Sequence, residues 1–224
     1  MQLSVIVPTL NEADGIQAFL GALSPLRARG HEIIVADGGS SDGTEALAEP
    51  LADLVIAAPK GRAAQMNAGA ALAKNPILLF LHADTFLPEQ ADRIIADALN
   101  VDRKWGRFDV ALKGKHRLLG LVGWSMNLRS RLTGIATGDQ ALFVTRELFR
   151  RANGFPAIAL MEDIALAKTL RRYCAPVCLR AKVVSSGRRW DQYGLWRTVF
   201  FMWRLRLAFF FGADPQQLAR RYQG

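Results

Sequence analysis

The sequence is poor in the residues that build disulfide frameworks and metal cages, with two cysteines and three histidines in 224 residues. Cys174 and Cys178 have three residues between them. That is neither the two-residue redox spacing nor, without a second pair, a zinc site, so two ordinary thiols in a reducing compartment are expected. The N-terminus has no basic region, apolar core and small-residue cleavage site, and Leu3 to Pro8 already reads as a strand. A secretory signal is therefore not expected, and the predicted location is the cytoplasm or the cytoplasmic face of a membrane. The aromatic stretch from Leu195 to Phe211 is too short and too charged to span a bilayer, which takes about 20 apolar residues. No repeat, low-complexity tract or dividing linker is present. The loop Gly38-Gly39-Ser40-Ser41 lacks both the Walker lysine and the G-x-G-x-x-G spacing, which argues against a Rossmann dehydrogenase.

Half of the residues are hydrophobic and the net charge is +9. The length suits one α/β domain, or one domain with a helical appendage. The charge implies an anionic partner: a nucleotide, a nucleic acid or an anionic membrane face. Nucleic acid is not expected, because the basic residues carry no recognisable reading motif and the C-terminal ones are embedded among aromatics.

Ile77 to Leu81 is a run of five apolar residues that stops at His82-Ala83-Asp84. A short, wholly apolar run suits a strand buried on both faces of a parallel sheet. Ligands in such folds sit outside the carboxyl ends of the strands, where Asp84 is predicted to lie. A turn, or a cap on the helix after Pro88, is the plainer alternative. Strands at Leu3 to Pro8, His31 to Asp37 and Asp53 to Ala57 alternate with helical patterns, predicting a doubly wound, largely parallel sheet. Asn11 and Glu12, Asp37 and Asp84 then gather at three strand ends. Asp37 can accept hydrogen bonds from a base or ribose. Asp84 beside a pyrophosphate would be repelled by about 4 kcal/mol at 4 Å and an effective dielectric of about 20. It makes sense there as a ligand to a hard divalent cation, Mg2+ or Mn2+.

Several short motifs follow in order: SVIVPTLNE from Ser4, IIVADGGSSDGT from Ile33, GRAAQMNAG from Gly61, LHADT from Leu81, GDQALFV from Gly138, NGFP from Asn153, MED from Met161 and RRW from Arg188. Over residues 3 to 190 this combination resembles family-two inverting glycosyltransferases of the GT-A fold, in particular a small bacterial subgroup. The resemblance implies a Rossmann-like, mostly parallel central sheet flanked by helices, spanning residues 1–190, and a C-terminal aromatic and basic helical tail over 191–224. It implies a metal-assisted, inverting transfer from a nucleotide-diphosphate-sugar donor to an acceptor hydroxyl. By position, Pro8, Glu12, Asp37 and Arg62 correspond to nucleoside-binding residues. Asp84 matches the last aspartate of the metal-binding Asp-x-Asp motif, and His82 stands in place of the first, on the donor side. Asp163 matches the catalytic base, and Arg189 with Trp190 matches the pair near pyrophosphate and acceptor. Ser186 stands where the Gln-x-x-Arg-Trp signature has glutamine, which points away from a processive synthase.

Plainer readings stand beside these. Asp163 is placed to cap the helix from Ile164, with Glu162 or Asp139 next in line as base. Arg62 can be a solvent-exposed residue at a helix start, Trp190 a core residue and Glu12 a support for the Asn11 turn. A non-catalytic GT-A module that binds a nucleotide sugar or a membrane partner, or a nucleotidyltransferase, are the alternative functions. The tail carries Arg197 and Arg204 on one helical face and Arg206 roughly opposite. It suits peripheral contact with a membrane and a lipid-linked acceptor, or packing on the catalytic domain or a second subunit of a homo-oligomer. The helix from Leu118 adds a second apolar surface.

Overall fold

Alternating burial explains the first half of the molecule. The computed structural model describes residues 1–223. Residue 224, which the sequence reading assigns to the tail, lies outside the described residues. Strands β1 (Leu3–Thr9), β2 (Glu32–Asp37), β3 (Leu54–Ala57) and β4 (Ile77–Phe80) alternate with helices α1 (Ala13–Ala28), α2 (Thr44–Ala48) and α3 (Arg62–Leu72). Successive strand residues face opposite sides of a sheet. Val5, Val7, Ile33, Val35 and Leu79 accordingly pack with Phe19 and Leu20 of α1. Ile6, Ile34, Leu78 and Phe80 pack with Met66 and Ala70 of α3. Both faces are covered, which is why these strands carry almost no polar residue.

The second half supplies β5 (Thr85–Phe86), α4 (Ala91–Ala98), β6 (Trp105–Lys113), α5 (Leu119–Thr133), β7 (Leu142–Thr145), α6 (Arg146–Arg151), α7 (Glu162–Leu170) and β8 (Val177–Ser186). The eight strands form one sheet in the order β3-β2-β1-β4-β7-β6-β8-β5. Parallel pairing joins β3, β2, β1 and β4, and also β6 with β8. The contacts of β7 with β4 and β6, and of β5 with β8, are antiparallel. The expected parallel sheet is thus continuous in the N-terminal half and recurs at β6–β8, with antiparallel pairs between, so the whole is mixed.

The chain ends in α8 (Arg188–Tyr193), α9 (Leu195–Phe210) and α10 (Pro215–Gln223). Leu205 of α9 and Leu218 and Ala219 of α10 bury against Leu160, Met161 and Ile164 at the start of α7. The tail therefore packs on its own chain. It leaves a stripe of α9 exposed: Trp196, Phe200, Trp203, Leu207, Phe210 and Phe211 are 59–77% accessible. A second stripe, Leu121, Trp124, Leu128 and Leu132, is exposed on α5. No described helix is long and apolar enough to cross a membrane.

Candidate active site

A cavity of about 1050 Å³ opens at the carboxyl ends of β1 and β4, walled by α5 on one flank and by α8, α9 and α10 on the other. Pro8, Glu12, Arg62, His82, Asp84, Arg189 and Trp190 all line it. Asp37 does not. Its carboxylate is 2% exposed and accepts bonds from the Thr9 hydroxyl (3.0 Å), the Gly39 amide (2.9 Å), and the Ser40 amide (2.7 Å) and hydroxyl (2.6 Å). Burial alone would raise its pKa, but these bonds, Ser40's foremost, hold the carboxyl below its ordinary value. Asp37 shapes the loop after β2, which sets it apart from the other donor-side candidates.

Asp84 reaches the cavity by a device with no sequence pattern. The two-residue strand β5 pairs Thr85 with Ser185 of β8, Thr85 Oγ1 donates to Ser185 Oγ at 3.0 Å, and the Ser186 amide donates to the Asp84 carbonyl at 3.2 Å. That seam carries Arg188, Arg189 and Trp190 beside Asp84. The helix after Pro88 starts at Ala91 with Gln90 as its cap residue, so Asp84 caps nothing. Asp191, within α8, anchors that helix to the segment after β6 by accepting from the Lys115 amide at 2.9 Å. Trp190 is half-buried on the cavity wall rather than in the core.

The charges alternate. Burial raises the pKa of Glu12, with Arg188 and Arg62 opposing and Asp84 adding to the rise. Arg62 opens α3 and is exposed to the cavity. Burial works against its charge, but Tyr222, Glu162, Asp139 and Asp163 outweigh it and raise its pKa. Gln65, one turn further along α3, is buried and donates to the Thr9 and Ala36 carbonyls at 2.7 and 2.8 Å, tying the ends of β1 and β2 together. Arg189 donates to the Tyr222 carbonyl at 3.0 Å and lies 3.6 Å from that ring's centroid. An α10 residue thus holds a proposed phosphate ligand.

His82 is neutral. Burial and Arg62 push its pKa down to about 4, against the pull of Asp84 and Asp163. Its ring fills the space over Gly138, where any added Cβ would run into Cε1 and Nε2. The Gly138 amide donates to Asp163 Oδ2 at 2.7 Å. Asp163 also accepts from the Ile164 amide at 2.7 Å. The expected cap role is corrected here: Met161 is the cap residue of α7, at φ 68°, and Asp163 lies within the first turn. Glu162, rather than Asp163, reaches the cavity wall. Burial, with Asp163 next to it, pushes Glu162 up to about 7, and Arg62 only partly offsets this.

Among the described residues no group of three or more His, Cys, Asp and Glu side chains is arranged to hold a metal ion. Mg2+ typically takes one or two carboxylates and completes its shell with substrate phosphates and water. One carboxylate, Asp84, beside a neutral imidazole therefore fits a cation that arrives with a diphosphate. It does not fit a resident ion.

Sequence reasoning did not single out Arg129, Arg188 or Tyr222 as site residues, and gave Arg206 no place in the site. Leu118, Val122, Ser125 and Met126 line the cavity together with Arg129. That spacing is one helical stripe, and an arginine on a mainly apolar stripe was the available signal.

Residues 4–119 match the family described as Glycosyl transferase family 2. An uncharacterized glycosyltransferase of Mycobacterium tuberculosis is 33% identical over 192 residues, covering 80% of this chain and 72% of its own length. The succinoglycan biosynthesis protein ExoA of Rhizobium meliloti is 34% identical over a shorter stretch, 42% of this chain and 32% of that protein. Among solved structures, S. aureus TarS 1-349 superposes with a TM-score of 0.65 at 19% identity, covering 89% of this chain and 64% of that one. The mannosyltransferase PcManGT of Pyrobaculum calidifontis, in complex with GDP-Man and Mn2+, gives 0.64 at 21%, over 92% and 61%. These structural likenesses establish a shared GT-A fold. The sequence matches go further: the chain belongs to glycosyl transferase family 2.

Proposed function

We propose that the protein transfers a sugar from a nucleotide-diphosphate-sugar donor to an acceptor hydroxyl, with inversion and with the help of a divalent cation. The observation that carries this reading is the convergence of Glu12, Arg62, Asp84 and Arg189 on one cavity that also receives Glu162 and abuts Asp163. Pro8 and Glu12 at the end of β1, with the loop that Asp37 builds, suit the nucleoside. Asp84, with His82 beside it, would hold the cation, which when bound offsets the charge of the leaving diphosphate. Solved neighbours of this fold are described with UDP-GlcNAc, with GDP-Man and Mn2+, and with UDP and Mn2+, which supports a donor and a cation of that class.

In the transfer step the acceptor oxygen bonds to the anomeric carbon as the bond from that carbon to the diphosphate oxygen breaks. The nucleoside diphosphate leaves with the electron pair, and the acceptor proton passes to a carboxylate. Arg62, Arg188 and Arg189 stabilise the developing phosphate charge in a partly dry site. Asp163 is the proposed base. Its bonds from the Gly138 and Ile164 amides fix its orientation. Glu162 is the second reading, favoured by its place on the cavity wall and by a pKa near 7. Trp190 offers an apolar face to the sugar or acceptor.

The exposed stripes of α5 and α9 suit contact with an anionic membrane surface. Exposed Arg197 and Arg204 flank the α9 stripe, and the whole chain carries +9. A lipid-linked acceptor follows from that reading. The function is tested by thermal stabilisation with a panel of nucleotide sugars, with and without Mn2+. A cation-enhanced rise in Tm for one donor is expected, and no response to any donor would leave the transfer reading without a substrate.

A further inference from the structure

The cavity has a second cationic wall, apart from the residues assigned above to the donor. Arg129 enters it from α5 and Arg206 from α9. Nε and Nη2 of Arg129 and Nε of Arg206 are buried without a hydrogen-bond partner among the described residues. Neither side chain belongs to any ion pair there. The fully buried Arg107, by contrast, is matched: it binds Asp109 and Ser130. Arg129 and Arg206 instead repel each other. Burial, with Arg206 beside it, brings the Arg129 guanidinium down to about 10. Unpaired buried charge is destabilising and persists where a ligand supplies the counter-charge.

Arg129 on α5 and Arg206 on α9 reach the cavity from other elements than Arg62 at the start of α3 and Arg188 and Arg189 on α8. Asp163 and Asp139 are charged neighbours of both Arg129 and Arg62. The arginine pair therefore lies toward the proposed base. The approach to it is apolar, between Val122 and Met126 of α5 and Val199 and Met202 of α9.

We infer that Arg129 and Arg206 form an acceptor subsite for a phosphate group, approached along an apolar passage between α5 and α9. The assignment to the acceptor rests on the transfer reading above. The forked guanidinium geometry suits phosphate oxygens, and each oxygen can take more than one of the orphan N–H donors. The phosphate comes either from an amphiphile whose tail fills the passage or from a small soluble phosphate ester.

The test uses the full chain in chloride buffer and calorimetry with inorganic phosphate, octyl phosphate and neutral octyl glucoside as probes. Arg129→Leu and Arg206→Leu are compared with the parent. Octyl phosphate is expected to bind the parent and to lose at least tenfold in affinity in each variant, while octyl glucoside binds none of them. Because each change removes an unpaired charge, Tm is expected to stay level or rise. Octyl phosphate binding more tightly than inorganic phosphate identifies an amphiphile, and equal affinities identify a soluble ester; either supports the subsite. Absence of phosphate binding, or binding indifferent to both substitutions, overturns it. So does a clear fall in Tm or failure to fold, since that would mark the arginines as structural. Nucleoside diphosphate with Mn2+ should bind parent and variants alike. Its failure to bind the parent would instead remove the transfer reading, and the phosphate titrations would still report on the arginines.

Discussion

Asp84, Glu162 and Asp163 carry different tasks, and their surroundings make the difference measurable. Asp84 is the carboxylate proposed to meet a cation that comes with the donor. Asp84→Asn keeps the size and the 3.3 Å bond from Thr85 Oγ1 within reach, so Tm should hold while Mn2+-enhanced binding of a nucleoside diphosphate is lost. Unchanged calorimetry with and without Mn2+ would take Asp84 out of the metal site. The base is separated by paired variants. With Asp163 as base, Asp163→Asn lowers turnover by about 100-fold or more, and Glu162→Gln has a lesser effect. The reverse order, with activity in the parent rising through pH 7, assigns the role to Glu162. Stability gives a second readout. Glu162 moves from 4.5 to about 7 on folding, so its stabilisation is full below pH 4.5 and is lost as pH rises through 7. His82 moves from 6.5 down to about 4 and works in the opposite sense, its stabilisation being present above 6.5 and lost as pH falls through 4. Between pH 4.5 and 6.5 the two opposing trends largely cancel in the parent, so Glu162→Gln should unmask a Tm that rises with pH across that window. A parent Tm that rises with pH across that window at the same slope in both proteins would contradict the assignment.

The short 3-10 turn Gly138–Gln140 connects these residues. It delivers one amide to Asp163 and leaves room for one ring, His82, where a Cβ would stand. Gly138→Ala should cost about 1–3 kcal/mol by overpacking, or roughly 2–12 °C in Tm for a chain of this size. The cost should largely vanish when His82→Ala is present, because the steric partner is gone. Additive losses would show that the alanine acts through something other than the ring. Elements of this kind mark where the sequence stops being readable. The strands β1, β2 and β4 were legible because apolar residues buried on both faces leave an unbroken run, and the polar residues ending them were legible as strand ends. Two residues cannot show a period, so β5, which joins Asp84 to Arg188–Trp190, left no trace. The start of α7 misled for a related reason. Asp at a helix mouth is a common cap, but Met161 at positive φ moves the helix start back by two residues. Helix α10 falls within the expected helical tail, but with no run of apolar residues it gave no sign of the face that Leu218 and Ala219 bury against the start of α7.

At the scale of the whole molecule, two exposed apolar stripes lie on helices that flank one cavity, in a chain of net charge +9. A soluble acceptor does not require such a surface, whereas a lipid-linked one would enter the cavity from it. Attraction of each basic side chain to an anionic surface is worth about 1 kcal/mol and is screened by salt. Apolar area contributes about 25 cal/mol per Å² that salt does not screen. Binding to phosphatidylglycerol-containing vesicles should therefore weaken at high salt but persist. The residues for removing the persistent part follow from burial. Phe209 is half-buried against the start of α7 and contributes to the fold. Leu207, Phe210 and Phe211 are 60, 70 and 77% accessible and do not line the cavity. Leu207→Ser with Phe210→Ser and Phe211→Ser should abolish vesicle binding at high salt, leave Tm within a few degrees and preserve nucleoside diphosphate binding. If the parent ignores the vesicles and the triple variant converts a dimer to a monomer by light scattering, the stripe is an assembly face. The route from a lipid surface to the cavity would then have to be abandoned, while the donor side would stand unchanged.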